Sequence, residues 1–161
     1  MAVSSCQTEE IKRIIVNFAL ENQVKLPVDF QKKRVIVISG PTCCGKSSLA
    51  ITLAKILGGE IISADSMQVY RGMDIGTAKV TRQERMEVAH HLIDIREIYE
   101  SFNIVDFYFE ARTAIQQILQ RGNVPIVVGG SGFYLHALLY GPPSGPPSLP
   151  ELRQYLEEEI E

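Results

Sequence analysis

The sequence has no apolar run of the roughly 18 residues that a membrane-spanning helix needs. Its first residues, Met1 to Cys6, lack the basic start and apolar block of a secretory signal, so none is expected. Cysteine is scarce: Cys6, Cys43 and Cys44 are an odd count with two adjacent, which excludes a disulfide framework and points to a reducing cytoplasm. The Cys43-Cys44 pair is not a zinc spacing either. Basic charge is also short, with 16 Lys and Arg against 19 Asp and Glu and a net charge of −3. Lys32-Lys33-Arg34 is the only basic run, and the stretch from Glu151 to Glu161 is mostly acidic. Composition therefore offers no general nucleic-acid surface, which requires clustered cations. There is no internal repeat.

What remains is an ordinary globular composition, 45% hydrophobic and 22% charged, of a length that suits one domain. Residues 1–32 divide into an amphipathic helix over 9–20 and a linker, and residues 33–161 form the main unit. Val35 to Ile38 is a β-branched run of the kind found in a strand covered on both faces. A helix follows to Gly58-Gly59, then a strand over 60–64 ending at Asp65. Residues 66–80 read as a loop, and Thr81 to Glu84 is a capping box. A short strand is expected at 91–95, a long helix from about Ile104 to Arg121 and a buried strand at 125–128. Gly129 to Gly132 then turns into another helix, and Ser148 to Glu151 opens a last one. Strands alternating with helices predict a parallel α/β sheet, and the Gly40 to Ser47 motif between its first strand and helix places it in the P-loop nucleoside triphosphate hydrolase-like, three-layer class. Ligands on such sheets sit at the strands' carboxyl ends, which would align the loop after Ile38, Asp65 and Ser131 along one edge.

Gly40-Pro41-Thr42-Cys43-Cys44-Gly45-Lys46-Ser47 fills every fixed position of G-x-x-x-x-G-K-[ST]. Two glycines let the backbone N–H groups converge on phosphate oxygens, and the following helix adds its positive end. Lys46 reaches terminal phosphate oxygens, and Ser47 is the candidate ligand for Mg²⁺. Most P-loop hydrolases also place an acid at the end of an apolar strand to hold that ion. Here the strand over 125–128 ends in Gly129-Gly130-Ser131 instead, which favours a transferase over a hydrolytic machine. Asp65, by its place, is either a base or the cap of the following turn. Ser131 is either an oxyanion donor or a small turn residue. His90 and His91, adjacent, face opposite ways in a strand and make a poor metal pair.

Five segments in this order carry a resemblance: Gly40 to Ser47, Ala64 to Tyr70, Gly72 to Lys79, His91 to Asp94, and Val127 to Leu135. Together they resemble the tRNA dimethylallyltransferase family, also called tRNA isopentenyltransferases, over about residues 33–156. The resemblance implies transfer of a dimethylallyl group from dimethylallyl diphosphate to N6 of adenosine 37, beside the tRNA anticodon, with diphosphate released. It implies that the P-loop, Gly40 to Ser47, holds the donor's diphosphate with Mg²⁺. It makes Asp65 and Lys46 catalytic, with Ser131 near the reacting amine where the family usually has Thr. The tRNA contacts fall on Asp65, Ser66, Met67, Gln68, Ser131 and Arg153. A cytoplasmic monomer acting on the tRNA anticodon loop is the expectation. Family members usually run longer than 161 residues, with a helical tRNA-binding insertion. A small-molecule P-loop kinase using ATP, and an inactive fragment needing a C-terminal half, are the competing readings.

Overall fold

The computed structural model describes residues 35–145 and 149–160. The helix expected at 9–20, its linker and Cys6 lie outside them. Four strands form one parallel sheet in the order β1-β4-β2-β3. They are β1 (Ile36–Ser39), β2 (Gly59–Ser63), β3 (His90–His91) and β4 (Val124–Gly129). Five helices accompany them: α1 (Lys46–Leu57), α2 (Arg82–Glu87), α3 (Ile104–Gln120), α4 (Gly132–Tyr140) and α5 (Pro150–Ile160). Both central strands, β2 and β4, are apolar on two faces, and each face has its own core. Ile62 and Val127 pack with Phe107, Ala111, Ala114 and Ile118 of α3 and with Tyr134 and Leu135 of α4. Ile61, Ile126 and Val128 pack with Ala50, Ile51, Leu53 and Ala54 of α1. The expected three-layer, parallel α/β architecture is therefore present, with the sheet between α1 and the α3–α4 pair.

Local chemistry sets the helix ends. Thr81 and Glu84 form the expected capping box of α2, and Asn103 with Asp106 forms another on α3. Gly58, at φ 62°, ends α1 by bonding back to the Ala54 carbonyl. The strand expected at 91–95 is shorter than its sequence suggests. It stops at His91 because Leu92 (φ 62°) and Asp94 (φ 56°) adopt left-handed backbone. That turn lets the Ile95 and Arg96 amides both donate to the Val69 carbonyl. It also brings the Asp94 carboxylate onto Lys79 (2.7 Å) and Arg85.

Lys79 fastens the 66–80 segment. Its ammonium is buried, and it donates to the Tyr70 carbonyl (2.6 Å) while pairing with Asp74 (2.9 Å) and Asp94. A second buried charged group, the Glu60 carboxylate at the start of β2, holds the sheet's opposite end. It accepts two bonds from the Arg121 guanidinium (2.9 and 2.8 Å), one from Asn123 (2.8 Å) and one contact from His91 Nε2 (2.6 Å). The Arg121 hydrogen bond outweighs burial and holds the Glu60 carboxyl down at about 2.

The carboxyl ends of β2 and β4 meet without space between them. A Cβ built on Gly129 would lie 2.1 Å from the Ala64 carbonyl oxygen, so only glycine fits. This contact explains why β4 ends without an acid: no side chain of any kind is admitted there.

Two predictions follow from these contacts. Gly129→Ala must displace backbone, so it should cost about 3 kcal/mol or more of stability, seen as an early urea transition. Glu60→Gln should cost about 3 kcal/mol at pH 7. Because the folded carboxyl titrates below its ordinary 4.5, this contribution is full above pH 4.5 and disappears as pH falls towards about 2. Urea midpoints of wild type and Glu60→Gln should therefore converge over that window.

Candidate functional site

The loop between β1 and α1 builds a concave backbone. Cys43 (φ 62°) and Gly45 (φ 89°) are both left-handed, a pattern that turns successive N–H groups inward. No side chain caps α1, and its first turn carries no acid. The amides at its start are thus left for an anion, and the helix dipole favours one there. Lys46 opens the helix, and its ammonium donates to the Pro41 carbonyl at 2.6 Å, bridging its own loop.

A cleft with an empty volume of about 720 Å³ opens beside this loop. Thr42, Cys43, Lys46 and Ser47 line one wall, and Ser63, Asp65 and Gln68 line another. Gly129 and Gly130 form a third side, with Thr77, Ala78, Val80, His90 and Ile93 closing it. The mixture of a cationic loop, one carboxylate and apolar patches suits a ligand with a charged head and an apolar tail.

Asp65 follows β2 and is half-buried. Its Oδ1 accepts the Met67 amide (2.9 Å) and the Gln68 amide (3.3 Å), so the turn-capping role open from sequence is realised. Among the described residues nothing is bonded to Oδ2. One carboxylate thus both shapes the turn and keeps an oxygen available. Gln68 is held by Ser63 Oγ (3.1 Å) and by donating to the Thr77 carbonyl (3.2 Å), which ties the following loop to the cleft.

The expected residues are not all brought together. Gly40, Pro41, Cys44 and Gly45 shape the loop behind the lining, while Ser66 and Met67 are exposed beyond it. Ser131 caps α4 through its carbonyl, which accepts the Tyr134 and Leu135 amides, but its side chain makes no cap bond. The cleft wall in that quarter is Gly129 and Gly130 rather than Ser131. Arg153 falls within α5, and its side chain lies outside the described residues. Sequence reasoning missed Ser63, Thr77 and His90. His90 turns to the cleft while His91 turns to Glu60, as strand alternation requires. Burial holds the His90 imidazole below its ordinary value, so it is neutral at pH 7.

Two further observations bear on what binds. Among the described residues no group of three or more His, Cys, Asp or Glu could hold a metal. In the cleft lining, Ser47 on the phosphate loop and Asp65 across from it offer a hydroxyl and a carboxylate oxygen of the kind Mg²⁺ uses. A kinase's phosphate-binding lid needs clustered arginines, whereas the chain has scattered ones at Arg71, Arg82 and Arg85, and Arg71 is engaged with Glu97 and the Asp94 carbonyl and Arg85 with Asp94. No helix among the described residues is long and apolar enough to cross a membrane.

Comparison with known proteins identifies the family. The family model described as IPP transferase matches residues 68–161, more than half of the chain. The chain is 72% identical over 159 residues to a tRNA dimethylallyltransferase of Protochlamydia amoebophila (strain UWE25), covering 98% of this chain and 46% of that protein. It is 57% identical over 133 residues to one of Chlamydia pneumoniae, covering 83% and 39%. Among solved structures, the full-length tRNA isopentenylpyrophosphate transferase of Bacillus halodurans aligns with a TM-score of 0.68 at 46% identity, over 80% of this chain and 43% of that one. A eukaryotic dimethylallyltransferase acting on tRNA aligns with a TM-score of 0.67 at 39% identity, over 78% and 32%. The chain spans less than half the length of these relatives. With its phosphate loop, its acid-free β4 terminus and Asp65 across the cleft, the chain belongs to the IPP transferase family.

Proposed function

We propose that the cleft binds dimethylallyl diphosphate and that the chain contributes the catalytic core of a transferase that prenylates N6 of adenosine 37 in the tRNA anticodon loop. The observation that carries this reading is Asp65 facing the phosphate loop across one cleft, with an uncommitted carboxylate oxygen. The relatives' names supply the reaction class, and the cleft supplies the parts.

The loop amides, the α1 dipole and Lys46 hold the diphosphate. Lys46 exchanges the Pro41 carbonyl for phosphate oxygens. The apolar lining, Val80, Ile93 and Val128, suits the five-carbon tail. An adenine N6 amine is a weak nucleophile, because its lone pair is delocalised into the ring. Bonding of N6 to the donor's C1 breaks the C1–O bond to diphosphate, and Asp65 accepts the proton that N6 loses. Charge develops on the leaving diphosphate, where preorganised donors act; each is worth about 3 kcal/mol. Mg²⁺ would be held by Ser47, with Asp65 within the same cleft, and by diphosphate and water. It supplies positive charge that stabilises the leaving group. The base must leave its stack to reach the cleft. Ser131, Ser66, Met67 and Arg153 belong to the tRNA side of this reading. A cytoplasmic setting accords with the free thiols of Cys43 and Cys44.

Asp65→Asn keeps an Oδ1 acceptor for the turn but removes the base. It should reduce prenyl transfer to an anticodon stem–loop by at least about 10²-fold, with diphosphate affinity unchanged in calorimetry. Equal turnover would refute the base assignment. Lys46→Ala should weaken diphosphate binding by roughly ten- to a hundredfold, as expected for a lost charge-assisted bond. Binding of ATP much tighter than of dimethylallyl diphosphate would instead favour a kinase.

A further inference from the structure

Thr77, Ala78 and Val80 close the cleft, and the segment they belong to is held from two sides. On one side the buried Lys79 ammonium pairs with Asp74 and Asp94 and donates to the Tyr70 carbonyl. On the other the Gln68 side chain reaches a residue nine positions along the chain: its Nε2 donates to the Thr77 carbonyl at 3.2 Å. Ala78 lies between these two anchors with left-handed backbone, at φ 47°. A residue with a Cβ adopts that conformation at a cost, and keeps it only where its surroundings over-determine it. The shape of this wall is therefore set by its anchors.

Gln68 is itself fixed. The Thr77 carbonyl can only accept, so the amide nitrogen faces it and the amide oxygen is left to Ser63. Ser63 Oγ donates to that oxygen at 3.1 Å. Ser63 is the last residue of β2 and is 5% exposed, so the sheet itself decides where the amide points. Gln68, expected among the tRNA contacts, thus has both ends of its amide bonded within the protein. The turn that carries Asp65 uses the Gln68 backbone amide and not its side chain. A change of the Gln68 side chain therefore spares that turn and isolates the link to the wall.

We propose that Ser63 and Gln68 are positioning residues: through the Thr77 carbonyl they hold the segment from Thr77 to Val80 as a preformed wall for the apolar part of the donor, and so set the cleft's preference for a prenyl diphosphate over bare diphosphate. The assignment rests on the donor-binding reading above. The wall presents Ala78 and Val80, both apolar, to the cleft. The phosphate end relies instead on the loop after β1 and on Lys46. A wall ordered before the ligand arrives spares the cost of ordering it on binding. With the link cut, the five-carbon tail meets a wall that has first to be fixed, while the phosphate end is untouched.

The test is a binding measurement without RNA, so no transfer takes place. Inorganic diphosphate and dimethylallyl diphosphate are titrated with Mg²⁺ into wild type, Gln68→Met and Ser63→Ala, and the melting temperature of each protein is recorded. Wild type should bind the prenyl diphosphate at least about ten-fold more tightly than inorganic diphosphate, from burial of the tail. Gln68→Met fills a similar volume without either hydrogen bond. It should lose about three- to ten-fold in affinity for the prenyl diphosphate, the size of one net hydrogen bond, and nothing for inorganic diphosphate. Ser63→Ala should show a smaller loss with the same selectivity, because the Thr77 bond survives on a less constrained amide. Equal affinity of wild type for the two ligands overturns the donor reading and this one with it. A wild-type preference that persists undiminished in Gln68→Met overturns the positioning role and leaves the donor reading standing. A parallel loss for both ligands also overturns it, because the link would then support the fold as a whole. Should Gln68→Met melt below the titration temperature, Ser63→Ala decides by the same comparison.

Discussion

The contact between Gly129 and Ala64 governs the rest of the site. It brings the carboxyl ends of the two central strands so close that a Cβ on Gly129 would lie 2.1 Å from a carbonyl oxygen. The Ala64 amide bonds to the Val128 carbonyl at 2.8 Å just before this point, so the sheet remains paired right up to the cleft. From there β2 delivers Asp65 to one side, and β4 delivers Gly130 against the loop after β1. A Cβ on Gly130 would stand 3.5 Å from the Gly40 carbonyl, an ordinary contact, so the two loops touch without strain. An acid at the end of β4 is sterically barred, and the carboxylate in this cleft comes from β2 instead.

The charged groups divide into those that hold the scaffold and those left open. Glu60 with Arg121 at one end of the sheet, and Lys79 with Asp94 and Arg85 beside the loop, are mutually satisfied. Buried charges are tolerable only when paired and hydrogen-bonded in this way. The Lys79 cluster anchors the segment from Gln68 to Val80, which walls the cleft. Ser47, one oxygen of Asp65 and Lys46, whose ammonium the scaffold engages only through its own loop, are the groups of the cleft left open to a ligand. The separation is physical: the first set fixes geometry, and the second has bonding capacity to spend on a ligand.

Much of this was legible in the residues. The P-loop motif, the β-branched strands, the capping boxes at Thr81 and Asn103 and the glycine stop at Gly58 are local signals, and local chemistry decided them. Missing from the sequence were the left-handed turns at Leu92 and Asp94, which shorten β3. They arise because Asp94 is drawn to Lys79 and Arg85, partners that chain order does not reveal. Ser131 shows the same limit. Its turn was evident, but whether its hydroxyl or the glycine backbone before it lines the cleft depends on how β4 meets β2.

By itself, then, the sequence determined an anion-binding loop between a buried strand and a helix, a parallel α/β sheet and an acid at the end of β2, because each depends on neighbours within a few positions. The tertiary structure decided which groups converge: that β4 must end in glycine, and that Asp65, among the described residues, keeps one oxygen free while the other holds its turn. Those outcomes depend on distances between segments far apart in the chain, and only packing sets those distances.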